Sequence, residues 1–379
     1  MISREIQKNV RKTLLESNKI TIILGARQTG KTTLISQIQK DLPGKKSLIL
    51  NLNCDLEEHL NLINTTSFET LKNVLANKKY LILDEAQRLS NPGLTLKIIH
   101  DNFPNVKILA TGSSSFEIKN ALSDALTGRY FDFILYPFSY SEISDSDLLT
   151  PNTLESILTY GEYPDVFLEP KPELKKALLA KITESFLFKD VLSLSKIRSS
   201  QAIVNLTKAL AFQVGSEINE NELSGRIKID RKTLVSYLDI LEKSFVILKL
   251  HPYSQNPRRE IGRRYKIYFT DLGIRNHLIG QFNPLALRED YGKVWENFLV
   301  IERRKYHSSS LVPPPCYFWR NLNGSEVDYL ELVEGKINAY EFKLKKTNKI
   351  RFPDTFISTY KTRPTLITPA NFRSFIYPK

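Results

Sequence analysis

Gly25-Ala26-Arg27-Gln28-Thr29-Gly30-Lys31-Thr32 sets two glycines, a lysine and a hydroxyl residue at the spacing of a phosphate-binding loop. The glycines let consecutive backbone N–H groups curl around an anion, and a helix starting behind the loop adds the positive end of its dipole. Lys31 is the residue to reach the β- and γ-phosphates. Thr32 is the one to place a hydroxyl on a magnesium ion bridging them, and Thr33 completes the stretch expected to line the nucleotide. Tyr80-Leu81-Ile82-Leu83-Asp84-Glu85 is an apolar run ending in two acids. Asp84 would hold the metal's water shell, and Glu85 would act as general base on an attacking water. Either motif alone could be a chance glycine turn or a buried strand with capping acids. Together and in this order they point to ATP and Mg as ligands and to hydrolysis as the reaction.

Other residues carry chemistry with duller alternatives beside them. Thr111-Gly112-Ser113-Ser114 follows a strand, so Thr111 or Ser113 could sense the γ-phosphate, or these hydroxyls could cap the next helix. Arg129, after Thr127-Gly128, could be an arginine finger offered to a neighbouring subunit, or an ordinary ion-paired arginine. Near the C-terminus, Asp328 on one expected strand can meet Glu341 and Lys343 on the next. That would give two carboxylates for a divalent metal and a lysine to steady a charged transition state, with Glu296 as a third acid. An amphipathic hairpin with paired surface charges is the alternative. Arg231 and Lys232 open a recognition-helix-like segment, and Arg258, Arg259, Arg263 and Arg264 crowd one loop, as a wing on DNA would; a solvated basic loop looks the same.

The elements that must position these groups can be read from periodicity. Apolar runs at Lys19 to Leu24, Ser47 to Leu52, Tyr80 to Leu83 and Val106 to Ala110 alternate with helical stretches, the βαβ rhythm of a parallel sheet. A P-loop α/β domain is expected over 1–137 and a helical lid over 138–196. Three short helices and a hairpin over 197–270 follow the winged-helix order, and a smaller α/β domain is expected over 271–379.

Composition bounds the partners. The chain of 379 residues has 54 Lys plus Arg against 41 Asp plus Glu, a formal charge of +13 that would concentrate polyanions such as DNA near its surface. A solvated basic surface would give the same count. Two cysteines are too few for a disulfide framework, and no run is long enough for a signal peptide or a membrane span, so the expectation is a reduced, cytoplasmic protein that engages no membrane.

These phrases, with Leu83 to Gln87, Gly161-Glu162-Tyr163-Pro164, Lys189-Asp190-Val191, Tyr268 to Gly273 and Trp295-Glu296-Asn297, resemble prokaryotic AAA-type ATPases whose ATPase domain precedes a winged helix and a restriction-endonuclease-like domain. The resemblance implies a ring-forming homo-oligomeric ATPase core. It also implies a C-terminal fold related to metal-dependent nucleases, with Glu296, Asp328, Glu341 and Lys343 at its signature positions. Three functions remain open at this point: a magnesium-dependent ATPase machine acting on DNA, an ATP-controlled nuclease, and a nucleotide-dependent switch that binds another protein.

Overall fold

The computed structural model describes residues 2–112, 125–185, 199–254, 264–321, 323–345 and 352–378. The chain divides into two compact units, one of residues 1–138 with short segments 243–245 and 308–311, the other of the remainder.

In the first unit, α1 (Ile6–Glu16) precedes β1 (Ile20–Leu24), α2 (Lys31–Lys40), β2 (Ile49–Asn53), α3 (Glu57–Ile63), α4 (Phe68–Val74), β3 (Tyr80–Asp84), α5 (Pro92–Asn102), β4 (Lys107–Gly112) and β5 (Tyr130–Ile134). The five strands form one parallel sheet in the order β2-β3-β4-β1-β5. After β4 the chain crosses to the far side of β1, so β1 sits at the point where the strand order reverses and its C-terminal end opens the crevice that ligands use in such sheets. Residues of β1 and β3 are buried throughout, which is why both read as unbroken apolar runs. Ile6, Val10 and Leu14 recur every four residues along one face of α1. They pack with Leu34, Ile35 and Ile38 of α2 onto Ile23, Ile82, Leu109 and Phe133 of the sheet. Asn91 caps α5 through its bond from the Leu94 N–H, with Pro92 following in the first turn.

The second unit begins with α6 (Tyr140–Ser144), α7 (Thr153–Tyr160), α8 (Pro164–Leu168), α9 (Pro172–Ser185), α10 (Ser200–Phe212), α11 (Glu220–Ile227) and α12 (Arg231–Lys243). Then come β6 (Ile247–Pro252), β7 (Lys266–Phe269), α13 (Leu272–Leu278), α14 (Tyr291–Ser308), β8 (Cys316–Arg320), β9 (Glu326–Val333), β10 (Lys336–Phe342), α15 (Asp354–Tyr360), β11 (Thr365–Ile367) and α16 (Phe372–Ile376). Its mixed sheet runs β11-β10-β9-β8-β6-β7. The boundary expected at 270/271 therefore falls beside a continuous sheet: β6 pairs with β7 on one side and, in parallel, with β8 on the other. On the outer side of β7, the Gly215 and Ile218 N–H groups donate to the Ile267 and Tyr265 carbonyls, and the Asn297 amide donates to the Phe269 carbonyl and accepts from its N–H, both at 2.8 Å, so the edge strand is covered.

Two of the phrases that carried the family resemblance are packing devices. A Cβ on Gly273 would stand 2.0 Å from the Tyr160 carbonyl, and one on Gly161 would stand 2.2 Å from Asp271 Oδ1, so α7 and α13 approach as only glycine permits. Asp271 caps α13 through the Ile274 N–H and also accepts from the Glu162 N–H, while Asn276 donates to the Leu158 and Thr159 carbonyls at the end of α7.

Helix α14 threads this unit and is mostly buried, charged residues included. Arg303 makes a two-pronged pair with Glu331 at 2.6 and 2.7 Å, and His307 adds a 2.7 Å contact to the same carboxylate. Burial pushes the Glu331 carboxyl up, but these hydrogen bonds overcome it and hold the group at about 2. Its folded value lies below its unfolded one, so its stabilisation is present above about pH 4.3 and lost as pH falls towards about 2. Glu331→Gln, leaving Arg303 buried without its counter-charge, is expected to cost about 3 to 5 kcal/mol near neutral pH. Urea unfolding of both proteins at decreasing pH should show the gap closing below about pH 4; a pH-independent gap would contradict the assignment.

Candidate nucleotide site and carboxylate cluster

The phosphate loop stands between β1 and α2, as its pattern requires. A Cβ at Gly25 would come within 2.3 Å of the Leu135 carbonyl, so the loop's first position is closed to any side chain. Gln28 and Gly30 take positive φ, 62° and 94°, and the Thr29 hydroxyl donates to the Ala26 carbonyl at 2.9 Å, curling the segment onto itself. Lys31 Nζ donates to the Gly25 and Ala26 carbonyls at 2.9 and 3.0 Å and lies 4.0 Å from Glu85 Oε1. Its ammonium is thus held inside the loop among acceptors it can exchange for phosphate oxygens. Ala26 is buried, Arg27 half-buried, and Thr33 exposed.

Asp84 is the hub of the acidic half. Its Oδ2 accepts from the Thr32 hydroxyl at 2.7 Å and its Oδ1 from the Thr111 hydroxyl, while Thr111 Oγ1 in turn accepts from the Glu85 N–H at 3.0 Å. The parallel register that sets Leu83 opposite Ala110 and Ile23 opposite Thr111 brings these residues to one edge. The hydroxyl and carboxylate oxygens of Thr32 and Asp84 are the hard donors magnesium takes, and they already touch, so the residues present fit that ion. Glu85 sits in the left-handed region at φ 56°, a strained conformation of about 1 to 3 kcal/mol for a non-glycine residue, and Gln87 donates to its Oε2. Sequence reasoning had Thr111 as a possible phosphate sensor; its structural place is as a brace for both acids. The Gln87 contact was not foreseen, although a residue two positions beyond a turn was in reach of that inference.

The remaining expected site residues of this unit divide. Ser113 lies outside the described residues. Arg129 forms a two-pronged pair with Asp101 of its own chain, at 2.9 and 3.0 Å, and that contact together with His100 draws the Asp101 carboxyl down to about 2.

In the second unit, Glu296, Glu326 and Asp328 offer oxygens all within 4.8 Å of one another. Glu341 and Lys343 adjoin them as strand alternation required: Lys343 Nζ donates to Glu341 Oε1 at 2.7 Å, and the Phe342 N–H donates to Asp328 Oδ2 at 2.7 Å. Burial first, then the charges of Glu296 and Glu341, push the Asp328 carboxyl well above its usual range. Sequence reasoning missed Glu326, two residues before Asp328 and hence on the same strand face, and it missed Lys266 and Tyr268 of β7. Lys266 Nζ reaches Glu296 Oε1 at 2.8 Å and also pairs with Glu326, while the Tyr268 hydroxyl donates to Glu296 Oε1 at 2.6 Å. A second group, His307, Cys316 and Glu331, has metal-ligand atoms equally close, but Arg303 already engages both oxygens of Glu331.

Of the residues expected on DNA, Arg231 and Lys232 are exposed at the start of α12, with Arg231 paired to Glu220 at 2.8 Å, and Arg264 is exposed. Arg258, Arg259 and Arg263 lie outside the described residues, as does Lys189-Asp190-Val191.

The parallel sheet, with the glycine loop between β1 and α2, is the arrangement of a P-loop domain. Residues 17–144 match a family described as an AAA domain, and 151–285 and 291–374 match two families described as domains of unknown function. The chain is similar to an uncharacterized protein of Haemophilus influenzae, 26% identical over 326 residues, which covers 81% of this chain and 80% of that one. It is also similar to uncharacterized proteins of Mycobacterium tuberculosis (26% identical; 87% of this chain, 70% of that one) and Methanocaldococcus jannaschii (26%; 88% and 77%). Among solved structures, a Walker-type ATPase of Pyrococcus abyssi shares the fold at 17% identity, with a TM-score of 0.50 over 74% of this chain and 96% of that one. No described helix is long and apolar enough to cross a membrane.

Thr111→Val keeps the volume and removes both bonds to the acids. It should lower the rate at saturating ATP by about tenfold or more while shifting nucleotide affinity much less, since Asp84 and Glu85 lose their aim but the phosphate loop does not. Steady-state kinetics beside a direct binding titration separates the two effects.

Proposed function

We propose that the protein hydrolyses ATP in a magnesium-dependent reaction and uses it to drive an oligomeric machine acting on DNA. The observation carrying the hydrolytic part is the placement of Glu85: it stands beside the metal-binding pair Thr32 and Asp84, braced by Thr111 and Gln87, and faces the loop lysine. Magnesium, when bound, would neutralise charge on the phosphates. Thr32 and Asp84 would hold it, Lys31 would give up its carbonyl acceptors for the β- and γ-phosphate oxygens, and Glu85 would take the proton from the attacking water. Arg129, to serve a neighbouring subunit's phosphate, must first release Asp101, so finger action and this intrachain pair exclude each other.

The DNA part is supported by the charge of +13, by exposed Arg231, Lys232 and Arg264, and by the order of α10 to α12 and the β6–β7 hairpin, which is that of a winged helix. ATP turnover should rise with duplex, single-stranded or branched DNA. Lys31→Ala should abolish it, and Glu85→Gln should lower kcat by about 10² to 10⁴ while nucleotide still binds. Absence of turnover sinks the ATPase reading. Turnover indifferent to every DNA, with no binding, sinks the DNA reading and favours a switch that engages a protein.

The converging oxygens of Glu296, Glu326 and Asp328 favour one second reading, an ATP-controlled nuclease. Plasmid cleavage with magnesium or manganese should then disappear in Asp328→Ala; cleavage equal in the two preparations would be contamination.

A further inference from the structure

Arg4 precedes the phosphate loop by 21 positions, carries no motif, and is only 7% exposed. Its Nη1 donates to the Thr29 carbonyl at 2.8 Å. Its Nη2 donates to the Tyr136 carbonyl at 2.6 Å and the Pro137 carbonyl at 3.4 Å, and the guanidinium lies 5.1 Å from the centre of the Phe138 ring. One planar fork therefore ties the phosphate loop to the stretch that follows β5. The fork is delivered by α1, whose Ile6, Val10 and Leu14 are set in the core of the same unit.

The consequence lies in the peptide joining Thr29 and Gly30. In a trans peptide the carbonyl and the next N–H point in opposite directions. Fixing the Thr29 carbonyl on Arg4 therefore turns the Gly30 N–H to the other side. That N–H makes no hydrogen bond among the described residues. Glycine, at φ 94° here, tolerates either orientation of its peptide, so sterics alone do not choose one. The buried guanidinium supplies the choice.

We propose that Arg4 is a positioning residue of the nucleotide site, holding the 29–30 peptide so that the Gly30 amide is aimed into the phosphate cradle before nucleotide arrives. The inference rests on the phosphate-binding reading of the loop. Arg4 acts on affinity rather than on the chemical step, because the amides of such a loop cradle the α- and β-phosphates that ATP and ADP share. Lysine at this position could hold one carbonyl but not two ends of a fork.

The test is a fluorescence titration of the full chain with an N-methylanthraniloyl-labelled ATP or ADP and magnesium, alongside kinetics and melting curves. Arg4→Met is expected to weaken both nucleotides alike by about tenfold, with kcat at saturation changed by less than about threefold. Arg4→Lys should recover part of the loss. Val10→Ala, which trims the same helix without touching the carbonyls, should lower Tm and leave Kd within about twofold of wild type. Arg4→Met binding as wild type overturns the proposal, and so does Val10→Ala weakening binding as much as Arg4→Met. If Arg4→Met does not fold, Arg4→Lys decides, an unchanged Kd overturning the idea. A wild-type protein that binds neither nucleotide defeats the phosphate-loop reading itself, a separate result.

Discussion

One buried carboxylate, Asp84, holds the N-terminal site together. It receives the hydroxyl of the first turn of α2 on one oxygen and the hydroxyl at the end of β4 on the other, so α2, β3 and β4 are tied to one group at the sheet's C-terminal edge. The arrangement demands the parallel register of β1, β3 and β4, because a slip of one residue would turn Asp84 or Thr111 to the opposite face. It also explains the cost carried at Glu85. Chain direction must reverse immediately after Asp84, and a left-handed residue there makes the turn while its N–H is met by Thr111. Strain, bracing and chemistry fall on adjacent residues because the strand ends where the site begins.

The second unit uses ionised side chains differently, as internal struts. Lys305 pairs with Glu162 and with Glu302 at 2.7 Å, all three nearly inaccessible, and Glu302 also accepts from the Tyr140 N–H. Burial opposes the Lys305 charge, yet the two carboxylates hold its ammonium above the ordinary lysine value. Burial and the neighbouring Glu302 push the Glu162 carboxyl well up. An arrangement of α14 that parted Lys305 from both acids would leave its ammonium buried without a partner, which disfavours it. Two phrases that carried the family resemblance, Gly161 to Pro164 and Tyr268 to Gly273, adjoin this construction and serve packing.

What could be read from the sequence follows from how local each signal is. The loop, the apolar strand running into Asp84 and Glu85, and helix α12 opening at Arg231 are encoded in consecutive residues, and the structure has them where spacing put them. Helix α1 was legible in the four-residue recurrence of Ile6, Val10 and Leu14, but the charged residues between them masked it. Strand β5, with Asp132 amid aromatics, and the short β11 carry too little apolar pattern to stand out. Arg4, Lys266 and Tyr268 were out of reach for another reason: their partners are set by tertiary register, and an isolated arginine or lysine looks the same whether it is solvated or buried. The continuous sheet from β7 to β11 was hidden likewise, because the parallel contact of β6 with β8 joins strands separated by a helix and a loop.

That sheet is what gives the carboxylate cluster its character. Three acids come from α14 and β9, but the cation among them comes from β7, on the far side of the expected domain boundary. Although burial disfavours its charge, Tyr268, Glu296 and Glu326 keep the Lys266 ammonium charged well above its usual value. An ammonium in that position neutralises the same oxygens a divalent ion would use, so metal and lysine compete for one place. The competition is uneven in one respect: the ammonium brings one charge to acids that, with Glu341 alongside, outnumber Lys266 and Lys343, whereas a divalent ion brings two. Lys266 thus stands where a divalent ion would have to stand among these oxygens, and the strand that carries it is held by β6 on one side and by the 215–218 backbone and Asn297 on the other.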